Sequence, residues 1–178
     1  GGVKERLAEY EKIESVAELQ ALLDETEGSR EGLESERKAV QDKLSKIWDE
    51  ANVEMTALCK SPEFTEVEDG LKKYESFGGP TEARWNSLNL HREEMVDSVK
   101  IHLIELMKST DALEIASAME KYEPYNDAIL GEQEALRDRQ KTLYNQAVSE
   151  MQTFAARSDV SYADVQGMID KYAEYPKE

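Results

Sequence analysis

The chain has little of what staples or punctuates most folds. One cysteine, Cys59, in 178 residues excludes an intramolecular disulfide framework and suits a reducing compartment. Four prolines and nine glycines, confined to a few places, are too few turn residues for a many-stranded β fold. No apolar run approaches the roughly 20 residues of a membrane span, and no signal peptide is visible. Basic residues are short as well: 22 Lys and Arg stand against 39 Asp and Glu, for a net charge of −17. That balance argues against nucleic acid, whose phosphates require clustered Lys and Arg, and against anionic membrane surfaces. It leaves basic or apolar proteins as expected partners and the cytoplasm, including the cytoskeleton, as the expected location.

The chemistry-bearing residues are equally sparse. His91 and His102 are the only histidines, and no Ser or Cys pairs with a base and an orienting group as nucleophilic catalysis requires. Glu-x-x-His, the di-iron signature of helical bundles, is missing, since His91-Arg-Glu-Glu94 and His102-Leu-Ile-Glu105 have the order reversed. The closest approach to a calcium loop, Asp24-Glu-Thr-Glu-Gly28, places its glycine one position early. Neither Gly-x-Gly-x-x-Gly nor a P-loop is present. The expectation is no enzyme activity, no metal and no cofactor.

What is present is charge (34%) interspersed with scattered apolar residues (39%), a composition suited to helices that each bury a narrow stripe. The stripes repeat. Stepping by 48 residues, Leu136 falls on Leu88 and Val40, Leu143 on Met95 and Ile47, and Tyr144 on Val96 and Trp48. Ala147 likewise falls on Val99 and Ala51, Met151 on Leu103 and Met55, and Phe154 on Leu106 and Leu58. These spacings trace one helical face. A shorter face keeps the same step: Ala112, Ile115 and Met119 fall on Phe64, Val67 and Leu71, then on Val16, Leu19 and Leu23. Tyr122 matches Tyr74, whereas the first copy has Thr26. Val3, Leu7 and Tyr10 continue the series backward as the tail of a preceding long helix, and Val165, Ile169, Tyr172 and Tyr175 carry it forward at a step of 50.

The expected fold is therefore all-α, built from tandem short-helix/long-helix hairpins of about 48 residues, as an elongated solenoid or a chain of bundles. Residues 1–14 are the tail of a preceding long helix; 15–60, 61–108 and 109–157 are three repeats; and 158–178 begin a fourth, so both ends cut through a unit of a longer array. Long helices are predicted near 30–60, 81–108 and 127–156, and short ones near 15–26, 62–76, 111–123 and 161–174. Pro176 marks the start of the next long helix. Ser15-Val-Ala-Glu18 and Ser161-Tyr-Ala-Asp164 have capping-box spacing, Ser61 reads as an N-cap before Pro62, and Gly78-Gly79-Pro80 reads as a stop.

The unit, Ser-x3–5-Ile/Val/Leu-x3-Met/Leu/Ile-x2-Tyr followed by Leu-x6-Leu-Tyr-x2-Ala-x3-Met, is similar to the helical repeats of very large protist and algal proteins. That resemblance implies a fibrous or cytoskeletal scaffold and carries over no functional residue. Spectrin repeats, with three long helices in a unit about twice this length, match poorly.

Candidate partner contacts are aromatic. Lys73-Tyr74, Lys121-Tyr122 and Lys171-Tyr172 close three short helices, with Phe77, Tyr125 and Tyr175 three residues on. They read as corner plugs or as a spaced row of docking points. Trp85, aligned with polar Arg37 and Gln133, reads as a local contact or a partner anchor. The apolar stretch Ile101–Met107 suggests a target of calmodulin- or centrin-like EF-hand sensors. The leading expectation is a non-enzymatic spacer, scaffold or fibre segment, with self-association through repeat ends; a helical binding platform for protein partners is the alternative.

Overall fold

The computed structural model describes residues 2–173 and residue 175. Glu174, at the expected end of the last short helix, and Pro176 lie outside them. Among the described residues every regular element is helical: α1 (Val3–Ala8), α2 (Val16–Glu25), α3 (Glu34–Leu58), α4 (Phe64–Tyr74), α5 (Glu82–Leu106), α6 (Ala112–Lys121), α7 (Leu130–Ala155) and α8 (Tyr162–Tyr172). Short and long helices alternate from α2 onward, in the expected order. The chain divides into two compact units, Gly1–Arg92 and Glu93–Glu178, with the boundary inside α5.

The long helices begin later than predicted, after 3-10 turns at 27–29, 79–81 and 123–129. Backbone geometry gives the reason. Gly32, Gly78 and Gly79 take φ of 82°, 58° and 52°, and Asn126 takes 44°, left-handed values that an α-helix does not accept. Residues 9–12 are likewise a 3-10 turn, so only 3–8 continue as the α-helical tail expected across 3–14. Ser61 corrects another expectation. Helix α4 starts at Phe64 with Glu63 as its N-cap. The Ser61 hydroxyl instead accepts the Glu63 N–H at 3.1 Å and donates to the Glu66 carboxylate at 3.1 Å. With Pro62 contributing no N–H, this turn satisfies the first free amide before the helix begins.

In the first unit α3 packs against α1, α2 and α4. Its core joins Leu7, Leu19, Leu22, Leu23, Val40 and Leu44, with Trp48 and Phe77 packed on its edge. Ser15 caps α2 by accepting the Glu18 N–H at 3.3 Å. Trp48 lies against Gly79, where an added Cβ would come within 3.0 Å of the indole, and its N–H donates to the Phe77 carbonyl at 3.3 Å. The glycine is thus required both for its φ and for the approach of this ring. Helix α4 buries Phe64, Val67, Gly70, Leu71 and Tyr74. The N-terminal part of α5 lies over it: Leu88 approaches Gly70, and Arg92 sits 5.3 Å from the centre of the Phe64 ring while pairing with Glu68 at 3.3 Å.

In the second unit α6 packs on α7 and on the 123–129 turn. Asp111 caps α6 by accepting the N–H groups of Leu113 and Glu114 at 3.0 and 3.2 Å. The stripe is buried at Val99, Leu103, Ile115, Ile129, Leu136 and Ala147. Each large side chain so covered contributes ~1.5–3 kcal/mol before entropy opposes it. Ser161 and Asp164 form a complete capping box at the start of α8, as their spacing predicts. Helix α8 nevertheless buries none of its residues.

Candidate contact sites at the aromatic corners

Each short helix ends on a polar knot tied to the preceding long helix. At the end of α4 the Tyr74 hydroxyl donates to the Glu54 carboxylate on α3, and Lys73 joins the same oxygen at 3.2 Å. The Lys73 ammonium also lies 5.1 Å from the centre of the Tyr74 ring, and Phe77 meets that ring edge-on at 4.9 Å. The arrangement recurs at α8: Tyr172 donates to Glu150 on α7, Lys171 reaches Glu150 at 3.2 Å and lies 5.0 Å from the Tyr172 ring, and Tyr175 stands edge-on at 4.8 Å. At α6 a histidine takes the acid's place. His102 Nδ1 and the Tyr122 hydroxyl share a hydrogen bond of 2.7 Å, Lys121 lies 5.4 Å from the Tyr122 ring, and Tyr125 meets it edge-on at 6.0 Å. Glu54, His102 and Glu150 are 48 residues apart. One step further back stands Arg6, which pairs with Glu25 on α2. There the two charges have changed sides.

The electrostatics follow the contacts. The hydrogen bond from Tyr74 holds the Glu54 carboxyl below its ordinary range, with Lys73 adding to the effect. The bonds from Tyr172 and Lys171 do the same for Glu150. Burial, reinforced by the adjacent carboxylate, raises both phenols. The Glu54 and Glu150 knots are therefore each a protonated tyrosine on an ionised acid at neutral pH.

A second recurrent contact satisfies the short helices' terminal carbonyls. Arg37 Nη1 donates to the Leu23 carbonyl at 2.7 Å, and Trp85 Nε1 donates to the Leu71 carbonyl at 2.8 Å. Arg37 also bonds the buried Thr26 hydroxyl, which itself donates to the Leu22 and Leu23 carbonyls. Arg37 and Trp85, like Leu23 and Leu71, are 48 residues apart, and the next member, Gln133, is also buried. A guanidinium and an indole thus do the same job, because helix ends leave carbonyls that require a donor. A third contact serves the turns before two of the short helices, α4 and α6. The imidazole of His91 meets the Ser61 carbonyl at 2.9 Å, and Arg139 donates twice to the Ser109 carbonyl at 3.0 and 3.2 Å.

The seven aromatic residues singled out by sequence fall at these corners. Tyr74 is buried; Phe77, Trp85, Tyr122, Tyr125, Tyr172 and Tyr175 are half-buried. None of the seven is an exposed ring, and the hydroxyls of Tyr74, Tyr122 and Tyr172 and the Trp85 N–H all have partners within their own unit. Both histidines hold structural hydrogen bonds, and Cys59 is a half-buried free thiol. Among the described residues no group of three or more His, Cys, Asp and Glu is arranged to hold a metal ion, and no helix is long and apolar enough to cross a membrane. The chemistry here is that of hydrogen bonding and ring packing between neighbouring helices.

Sequence reasoning missed the Arg6–Glu25 pair and the shared capping role of Arg37 and Trp85. The signal was available in both cases. The same step aligns Arg6 with Glu54 and Glu25 with Lys73, a reversed pair, and all three residues aligned at 37, 85 and 133 carry N–H donors. No protein family, no curated protein and no solved structure matches this chain.

Proposed function

We propose that the chain is a structural, non-enzymatic segment of a longer α-helical repeat protein, working as a spacer, scaffold or fibre component. Its units of about 48 residues would stack as an elongated solenoid or a chain of bundles, with 15–60, 61–108 and 109–157 as successive repeats. The observation that carries this reading is the recurrence of one contact set at one step: Glu54–Tyr74, His102–Tyr122 and Glu150–Tyr172, each with its lysine and second ring. Repeat proteins gain stability from such nearest-neighbour contacts. Here the aromatic, histidine and capping residues are committed to joining one helix to the next. A segment whose distinctive side chains are spent on tiling acts through its geometry.

The test is fractionation of native extract with an antibody to this segment. The expected result is a polypeptide much longer than 178 residues, retained in the detergent-insoluble fraction and free of stoichiometric small partners. A soluble species that elutes with one small acidic protein and releases it on calcium chelation would replace the scaffold with a binding platform for an EF-hand sensor. One observation favours that second reading: Ile101 and Ile104, one turn apart on α5, are 60% and 57% exposed. The surrounding acidity disfavours it, since calmodulin targets are basic amphipathic helices.

A further inference from the structure

Helices α3 and α4 and helices α7 and α8 present the same apolar face, but only the first pair has it covered. Met55 and Val67 are fully buried, Leu71 is 7% exposed and Phe64 is 3% exposed. Their counterparts Met151, Val165, Ile169 and Tyr162 are 40%, 39%, 56% and 84% exposed. Met151, Val165 and Ile169 line an open apolar groove of about 300 Å³, together with Phe154 and Met168. What closes the face of α3 and α4 is the N-terminal part of α5. Leu88 sits on Gly70, Arg92 lies over Phe64, Trp85 donates to the Leu71 carbonyl and His91 meets the Ser61 carbonyl.

We infer that the groove of α7 and α8 is the seat of one further long amphipathic helix built like α5, following the Tyr172–Tyr175 corner in the same polypeptide. The inference rests on the repeat reading above and specifies how the array continues. The occupant's chemistry follows from what lies beneath it. An apolar residue fills the groove between Phe154 and Ile169. A nitrogen donor, in the position of Trp85, meets the Ile169 carbonyl at the end of α8. A basic side chain, in the position of Arg92, covers the Tyr162 ring as Arg92 covers Phe64. A second donor, in the place held by His91 and Arg139, serves the Asp159 carbonyl.

The experiment grafts residues 78–106 directly after Tyr175 in the full chain, both unchanged and with Leu88→Ala in the graft, and follows amide hydrogen exchange of residues 148–172. Docking is expected to slow exchange in α8 at least ~tenfold for one of the two grafts, and Ile169→Asp is expected to cancel that slowing. A graft carrying Trp85→Asp and Leu88→Asp is the control and should give no protection. Unprotected α8 with both grafts would overturn the proposal. So would concentration-dependent dimerisation of the ungrafted chain that Ile169→Asp abolishes, because the occupant would then be a second copy. Fractionation of the native protein reads the scaffold role separately, so a docked graft alongside a soluble native protein would leave this inference standing while removing that role.

Discussion

At the scale of single residues the chain uses unlike side chains for one task wherever the backbone poses the same demand. The carbonyls that end a short helix accept from Arg37 in one place and from Trp85 in another. The tyrosine closing a short helix finds a glutamate, a histidine and a glutamate in turn. Trp85→Phe keeps a six-membered aromatic ring and removes the donor to Leu71, and a net loss of about 1 kcal/mol is expected; urea unfolding of the two proteins measures it. A loss of several kcal/mol would instead show that the ring's packing was disturbed. The Glu54 knot makes the fold pH-dependent. Its carboxyl is held below the ordinary range by Tyr74 and then Lys73, so its contribution is complete above the unfolded carboxyl's pKa and is lost as pH falls through the lower, folded value. Glu54→Gln is therefore expected to flatten the acid limb of a plot of melting midpoint against pH, leaving the plateau near neutrality comparatively level. The tyrosines at these corners were legible as recurrent positions. Their partners were not, because a step of 48 aligns residues without saying which of them touch.

At the scale of elements, helix starts depend on which free amides find an acceptor. Ser161 and Asp164 satisfy each other's backbone reciprocally, and nothing buried supports α8 once that cap is gone. Ser161→Ala is expected to cost ~0.5–2 kcal/mol of helix stability, read as faster hydrogen exchange in the first turn of α8 with the rest of the chain unchanged. Ser61 departs from its local sequence signal. The Ser-Pro pair signals a helix start, yet the hydroxyl serves the turn and the helix begins at Phe64. The late starts of the long helices have a related cause. Left-handed backbone at Gly32, Gly78, Gly79 and Asn126 holds the chain in short 3-10 turns, and only the glycines advertise this in the sequence.

At the scale of the whole molecule, each compact unit combines short and long amphipathic helices whose stripes cannot be buried singly. Burial is accordingly uneven. Helix α4 buries five residues and α8 none. Amide exchange is expected to be slower in α4 than in α8 by at least a factor of ~100, a contrast that mass spectrometry of exchanged peptides measures directly; similar protection in the two helices would contradict the exposed groove. The all-helical class, the alternation of short and long helices and the apolar face of each helix were determined by the sequence itself, because helix periodicity and turn residues are local properties recorded along the chain. Tertiary structure alone decided which of the equivalent faces is covered, which donor meets which carbonyl, and that the conspicuous tyrosines bind acids or a histidine on the preceding long helix. Those outcomes depend on residues brought together from 14 to 30 positions apart in the chain. The stripe of Met55, Val67 and Leu71 is core beneath α5, its counterpart Met151, Val165 and Ile169 is surface on α7 and α8, and only a neighbouring helix makes the difference.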